Sequence, residues 1–392
     1  MTYRKFQADY LFDGTELLDD KHVLVTSEDG TVREIADCSD AGEDVERFKG
    51  LISPGFINCH CHLELSHLKG LISMKTGLIR FVLSIVNQRK TDINEIQTAL
   101  SRAESDMLAG GIVAVGDICN TGDTLAQKSA RRLDYYNFIE LAGWLPSQAQ
   151  SRFDSGKALY NQFALMAGNT QHLSLNPHAP YSVSPRLWDL LRKSFPHKAI
   201  TMHNQETAAE DELFMFKRGG LTELYTMMKI DNSHFSPAGA SSLACSLPQF
   251  ESAKNILLVH NTFTSAEDIT RATAFSPDLF FCLCPNANLF IEDKLPDIPS
   301  MIHAGGNLVV GTDSLASNHQ LSVLEEMKTI KKHFPEIETA RILQWATSNG
   351  ARALQFEDKL GDFKAGKKPG LVLIEYKGKE PLDAESNCRR IL

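Results

Sequence analysis

No stretch of the 392-residue chain approaches the roughly 20 consecutive apolar residues that a spanning helix needs. A helical membrane protein is therefore not expected. The opening "MTYRKFQADYLFDG" lacks the apolar core of a signal peptide, so export is not expected either. Low-complexity segments and residue-level repeats are absent, which sets aside solenoids and disordered linkers. Positive charge is not in excess: 40 Lys and Arg stand against 49 Asp and Glu, for a net −9. That balance argues against nucleic acid and anionic membranes as partners. The 8 cysteines are scattered, and Cys119, Cys282 and Cys284 sit inside apolar runs. Such a pattern suits reduced, buried thiols of a cytoplasmic protein and not a disulfide framework. What is there is 43% hydrophobic and 23% charged, an ordinary soluble-enzyme composition. The length suits one large barrel with attachments, or two or three smaller domains.

Short apolar or β-branched runs recur along the middle of the chain: Leu51–His60, Ile112–Ile118, Tyr135–Ala142, His172–Pro177, Ala199–His203, Ile256–His260, Leu279–Leu283 and Leu308–Gly311. They are nearly continuous in hydrophobicity, as strands buried on both faces must be. Amphipathic stretches lie between most of them, such as Ile93–Ala109, Pro185–Ser194, Ala266–Ala274 and Leu321–Phe334. Alternation of this kind predicts an α/β fold, a (β/α)8 TIM barrel. The ends of the chain read differently. "KHVLVTSEDGTVREI", with its Asp29–Gly30 turn, and "LGDFKAGKKPGLVLIEY" alternate as exposed strands do. They are expected to form one small β-sandwich from two segments, residues 1–52 and 357–392, with the barrel at 53–356 between them. Residues Arg218–Lys254 exceed an ordinary strand–helix loop, and long loops on a barrel's upper face often wall the substrate site.

Barrel enzymes build their sites at the C-terminal ends of the strands. Here those ends carry His60 and His62, Asp117, Glu140, His178, His203, His260, Asn286 and Asp313. His60 and His62, two apart on a strand, point the same way and can converge on one ion. An isolated His-x-His pair is weak evidence, and more often one imidazole is buried and the other exposed. His203 ends another strand, and Glu206 falls in the first turn beyond it, placed to exchange protons with a substrate. It could equally be a first-turn helix acid. Asp313 follows Gly-Thr at the last strand end, as a metal ligand and base or as a helix N-cap, a task open also to Ser314 and Ser317. Three histidines and an aspartate would hold one divalent cation, zinc above all, with iron or nickel as alternatives. An open position on such an ion would take water. His178, on an intervening strand, is free to touch a substrate.

In order, "PGFINCHCHLE", "NPHAPYSVS", "HNQE", "LLVHNT", "CPNANLFI" and "GTDSLASN" resemble the amidohydrolase superfamily. The resembling branch holds the cytosine, guanine, S-adenosylhomocysteine and aminofutalosine deaminases, with the triazine hydrolases. The likeness covers nearly the whole chain and is specific to branch, not to substrate. It implies that His60, His62, His203 and Asp313 bind a single metal ion. It implies further that Glu206 carries protons to a ring nitrogen, that His260 orients the water and the oxyanion, and that His178 contacts substrate. Glu140 is expected beside the substrate too, although a carboxylate there could bridge a second ion. No lysine stands at the end of the Tyr135–Ala142 or His172–Pro177 runs, where binuclear relatives commonly use one. His62-Leu-Glu64 also fits half of the His-x-Glu…Pro-Cys-x-x-Cys signature of another zinc deaminase fold. The other half is missing, since Cys282 and Cys284 are one residue apart with Pro285 after them. Glu64 is therefore expected to support the site or face the substrate.

The implied activity is metal-dependent hydrolysis of a non-peptide carbon–nitrogen bond, most simply deamination of an aminated heterocycle. Candidate substrates are a purine or pyrimidine base, or a nucleoside derivative such as aminofutalosine or an adenosine-type thioether. Two alternatives stay open: an amidase, cyclic amidase or chlorohydrolase on the same metal site, and an inactive binding or assembly protein. The partners implied are a small molecule and water, with a homodimer consistent with the resemblance.

Overall fold

The computed structural model describes residues 3–168, 170–378 and 381–392. Its centre is built from strands β1 (Phe56–Cys61), β2 (Ile112–Cys119), β3 (Asp134–Leu141), β4 (Leu173–Pro177), β5 (Ala199–Asn204), β6 (Asn255–His260), β7 (Leu279–Leu283) and β8 (Asn307–Val310). They pair in parallel as two four-stranded sheets, in the orders β4-β3-β2-β1 and β5-β6-β7-β8. Two seams join the halves. At one, Thr312 N and Asp313 N donate to His60 O at 2.9 and 3.0 Å, and His62 N donates to Asp313 O at 3.3 Å. The same seam is tied by Asn58 Nδ2 to Thr312 Oγ1 at 2.7 Å and by Thr312 N to Asn58 Oδ1 at 3.1 Å. At the other, His203 N donates to His178 O at 2.9 Å. Side chains complete that seam: Thr201 N donates to Asn176 Oδ1 at 3.0 Å, and Ser174 Oγ donates to Ala199 O at 2.9 Å. The expected (β/α)8 barrel is present.

The near-continuous hydrophobicity of the strands has a direct cause. Ile57, Cys59, Phe138, Leu257, Val259, Phe280, Cys282 and Val309 pack together inside the barrel. Phe56, Val115, Ile139, Ile200, Ile256, Phe281 and Val310 pack outward into the layer shared with the helices. Helix Ile93–Ala109 has the expected bounds, capped by Asp92, whose side chain accepts from Asn94 N. Helix Val323–His333 starts two residues later than expected, because Ser322 caps it by accepting from Glu325 N.

The run Leu51–His60 was expected as one strand and is two. Leu51–Pro54 pairs antiparallel with Leu371–Ile374, away from the barrel. The chain then turns at Gly55 into β1. A Cβ on Gly55 would lie 2.3 Å from Val113 Cγ1 and 2.6 Å from Pro369 O, so no larger residue fits this turn. Leu51–Pro54 belongs to a five-stranded sheet in the order 387–390, 371–375, 51–54, 10–12, 17–18. A four-stranded sheet in the order 32–37, 22–27, 3–7, 45–47 faces it. Phe6, Leu24 and Val32 from one sheet pack with Leu11, Ile52, Leu371 and Leu373 from the other. This is the small β-sandwich, and it draws on both ends of the chain.

Arg218–Lys254 is not one insertion. Ser242–Ser246 and the 3-10 turn Leu247–Phe250 put Leu243, Leu247 and Phe250 into the layer between barrel and helices. The preceding part, with helices Ala209–Phe216 and Gly220–Met227, joins a separate apolar cluster. That cluster unites Leu68, Phe81, Trp144, Tyr181, Leu213, Tyr225, Phe290 and Ala316, residues from the loops after six different strands.

Candidate active site

β1 does not run straight into its histidines. Its register against β2 shifts between Asn58 and Cys61, and such an irregularity re-aims side chains. His60 Nε2 and His62 Nε2 then come within 3.5 and 3.4 Å of Asp313 Oδ1. From β5, His203 Nε2 lies 3.2 Å from His62 Nε2. The His60 ring is 4.9 Å from the His203 ring and 5.7 Å from that of His260. One ligand atom each from His60, His203, His260 and Asp313 falls within 4.8 Å of all the others. Of the four expected ligands, His60, His203 and Asp313 fall in that close group with His260, and His62 stands beside it, its Nε2 close to both Asp313 and His203.

The imidazoles are suited to a cation. His60 is 1% exposed, yet among the described residues neither of its ring nitrogens has a hydrogen-bond partner. A buried nitrogen left bare in this way is costly unless something binds it. Burial lowers both His60 and His62 to about 3, which keeps them neutral with lone pairs free. Asp313 is held well below the usual carboxylate range: burial opposes its ionisation, and His60, His62 and His260 outweigh it. Gly311 permits the close approach behind this cluster, for a Cβ there would meet His60 Cβ at 2.8 Å and Cys282 Sγ and Cys284 Sγ at 3.0 Å.

The rings of His203, His260 and His178 are also oriented from behind. His203 Nδ1 pairs with His178 O at 2.9 Å, which assigns the proton to Nδ1 and leaves Nε2 facing the cluster. His260 Nδ1 pairs with Asn288 Oδ1 at 2.9 Å, and Asn288 Nδ2 donates back to His260 O at 3.2 Å. Ser317 Oγ donates to Asp313 Oδ2. His178 Nδ1 pairs with Ser182 Oγ at 2.7 Å. None of Asn288, Ser317 and Ser182 was expected from sequence. Asn288 lies in "CPNANLFI", where Asn286 attracted notice instead. Asn286 faces away, accepting from Thr329 Oγ1 at 2.6 Å. The backbone adds to the constraint: Gln205, His260, Asn261 and Asp313 have φ of 41°, 72°, 56° and 58°. Left-handed non-glycine residues clustered at strand ends are strained, and strain concentrates at functional sites.

Glu206 Oε1 is 3.6 Å from His260 Nε2. Burial pushes its carboxyl up to about 8; His203 opposes this, while Asp313 and Glu292 add to it. A carboxylic acid that keeps its proton near neutral pH can donate it. Glu140 Oε1 is 3.4 Å from His203 Nδ1, and Glu140 Oε2 accepts from Asn120 Nδ2 at 3.1 Å. Glu140, His178 and His203 form a second close cluster. Glu64 is engaged elsewhere. It pairs with Arg89 and accepts from Asn120 N and Thr121 N at 3.0 and 2.9 Å. Asp117 belongs to the barrel wall: it ion-pairs with the buried Lys128 at 2.5 Å and accepts from Leu63 N at 2.9 Å.

Over the mouth, Trp144 stacks on Tyr225 at 5.2 Å between centroids, with Phe235 at 5.1 Å and His234 at 5.4 Å. Its Nε1 donates to Asn232 Oδ1 at 3.0 Å, and Tyr225 Oη donates to Tyr181 O. The loop after helix Gly220–Met227 is thereby folded down on the loops after β3 and β4.

Comparison with known proteins bears on the fold and the family. An adenosine deaminase of Helicobacter pylori is 27% identical over 339 residues, covering 84% of this chain and 80% of the relative. A 5-methylthioadenosine/S-adenosylhomocysteine deaminase of Thermococcus kodakarensis is 26% identical over 346 residues, covering 83% and 74%. The crystal structure of Helicobacter pylori aminofutalosine deaminase with methylthio-coformycin superposes with a TM-score of 0.82 at 23% identity, covering 96% of this chain and 93% of that one. The signature of the amidohydrolase family matches residues 51–389, and the chain belongs to that family.

Proposed function

We propose that this enzyme hydrolytically deaminates the aminopurine ring of an adenosine-type nucleoside, releasing ammonia. The observation that carries the reading is Glu206, a buried acid pushed up to about 8, set 3.6 Å from His260 beside a cluster of cation ligands. Amide cleavage needs a nucleophile, an oxyanion partner and a proton for the leaving nitrogen; attack on an aromatic amidine needs in addition a proton on the ring nitrogen, and a protonated Glu206 is placed to supply it.

His60, His62, His203 and Asp313 would hold one divalent ion, and neutral imidazoles with one carboxylate favour zinc, with iron or nickel as the nearest substitutes. The bare nitrogens of His60 support that fit. When bound, such an ion activates water for attack near neutral pH. The rest falls to the protein. Asp313 accepts the attacking water's proton. Glu206 protonates the ring nitrogen and regains a proton from the adduct's hydroxyl as the carbonyl forms, while the proton held by Asp313 passes to the departing amine. His260, fixed by Asn288, steadies the developing oxyanion. His178 and Glu140 contact the substrate, and Glu64 holds the loop at Asn120–Thr121 beneath it.

We assign residues 1–54 and 357–392 to the sandwich and 55–356 to the catalytic barrel, two residues beyond the expected boundary because strand Leu51–Pro54 pairs within the sandwich sheet. The eight cysteines, none in a disulfide, support a reducing, cytoplasmic setting. A small molecule is the expected partner, with homodimerisation and no nucleic acid. The test is ammonia release from 5′-deoxyadenosine, 5′-methylthioadenosine, S-adenosylhomocysteine and aminofutalosine, alongside elemental analysis. Turnover of cyclic amides or chloro-triazines with none of these nucleosides would overturn the deaminase reading.

A further inference from the structure

Beneath the proton donor lies a second buried glutamate that the chemistry above does not use. Glu210 sits in the first turn of helix Ala209–Phe216 and is 0% exposed. Its Oε1 accepts from Glu206 N at 2.9 Å, and its Oε2 from Gln205 N at 3.1 Å and Ser242 Oγ at 3.3 Å. The charged groups that act on it are Glu206 and Asp211, both acidic. A buried carboxyl without a cation costs stability, so its position asks for a reason.

The two amides it clasps belong to the residues that lead from the ligand His203 to Glu206. Gln205 is left-handed, with φ 41°, and its side chain is fixed by Asp211 at 3.1 Å and Asp268 at 2.9 Å. Two consecutive N–H groups converging on one carboxylate determine where the chain leaves β5, and hence where the Glu206 side chain begins.

We infer that Glu210 is a positioning residue: it clasps the turn at Gln205–Glu206 and so sets the reach of the Glu206 carboxyl into the site. This rests on the reading of Glu206 as proton donor. A residue that merely capped the helix would affect stability without singling out Glu206.

Two substitutions probe the clasp. Glu210→Gln keeps one acceptor and places an NH2 against the other N–H. Glu210→Asp keeps the charge but withdraws it by one methylene. With 5′-methylthioadenosine and the other nucleosides above as probes, both should lower kcat about 10–100-fold, with KM and metal content nearly unchanged. On a Glu206→Gln background the same substitutions should cost nothing further, because they act through the group already removed. Independent, multiplying losses would overturn the inference. A measurement that needs no substrate stands beside this: hydrogen exchange at the Gln205 and Glu206 amides should quicken in Glu210→Gln relative to the rest of β5. Unchanged exchange there refutes the clasp. A Glu206→Gln enzyme of normal turnover would instead remove Glu206 as donor, and the exchange result would still decide whether Glu210 sets the turn.

Discussion

Glu206 and His203 stand three residues apart and should fail in different ways. Glu206→Gln keeps size and hydrogen bonding but cannot move a proton, so kcat should fall by at least about 100-fold while metal is retained. His203→Ala should lower metal content instead. Turnover and metal stoichiometry measured on both variants separate the roles, and near-normal turnover in Glu206→Gln would return that residue to an ordinary helix-start acid. Glu326 gives a prediction about pH. Burial pushes its carboxyl from 4.5 up to about 8, against the pull of Asn286 and Asn318. The folded protein therefore keeps a proton that the unfolded chain releases. Its contribution to stability is full below about pH 4.5 and is lost as pH rises through about 8. Glu326→Gln, which cannot ionise, should flatten that slope in denaturant titrations across the window; an unchanged slope would show that Glu326 titrates as a free carboxyl. The residues of the close cluster were legible because strand-end position is written in the apolar runs that precede them. The groups that aim them were not. Asn288, Ser317 and Ser182 act through contacts made only on folding, and spacing gives the height of a side chain along a strand but not its bearing. Asp117 shows this: it ends its strand at the right level and turns into the wall to meet Lys128.

Among the elements, the cap has the clearest consequence. Trp144 joins the loop after β3 to Tyr225, His234 and Phe235, so it fixes one wall of the mouth. Trp144→Ala should raise KM several-fold and relax discrimination among nucleosides, with metal content intact. Loss of metal, or unaltered kinetics across the nucleoside panel, would count against a wall-forming role. Helix and strand identities in the barrel could be read from periodicity, because strands buried on both faces leave continuous apolar runs. Two features could not. The break at Gly55 lies within one apolar run, and only the close approach of Val113 and Pro369 shows why the chain must turn there. Residues 218–254 read as a single excursion because a surface loop and a barrel helix follow one another without a change in composition. Packing separates them: Leu243, Leu247 and Phe250 join the barrel layer, while Leu221, Leu224 and Tyr225 join the cap.

For the whole molecule, the proposed ligand set crosses a division in the barrel. His60 and His62 come from the half-barrel of β1–β4, and His203 and Asp313 from the half that begins at β5. An ion held by all four would fasten both halves, and binding only the folded state adds its own free energy to folding. Chelation should therefore lower the melting temperature, and calorimetry before and after metal is restored checks it; a melting curve indifferent to chelator would place the ion outside the closure of the barrel. The sandwich has a different bearing, on synthesis. Strand Leu51–Pro54 bonds to Leu371–Ile374, and roughly 300 residues separate them, or roughly 15–60 s of translation at common rates. Throughout that interval the nascent chain carries an unsatisfied strand edge while the barrel takes shape behind it. Open edges invite pairing with other chains, so the ribosome-bound form has a period of exposure that the finished enzyme does not. Strands Leu371–Glu375 and Asn387–Arg390, among the last to be made, complete a sheet whose first strand is Tyr10–Phe12.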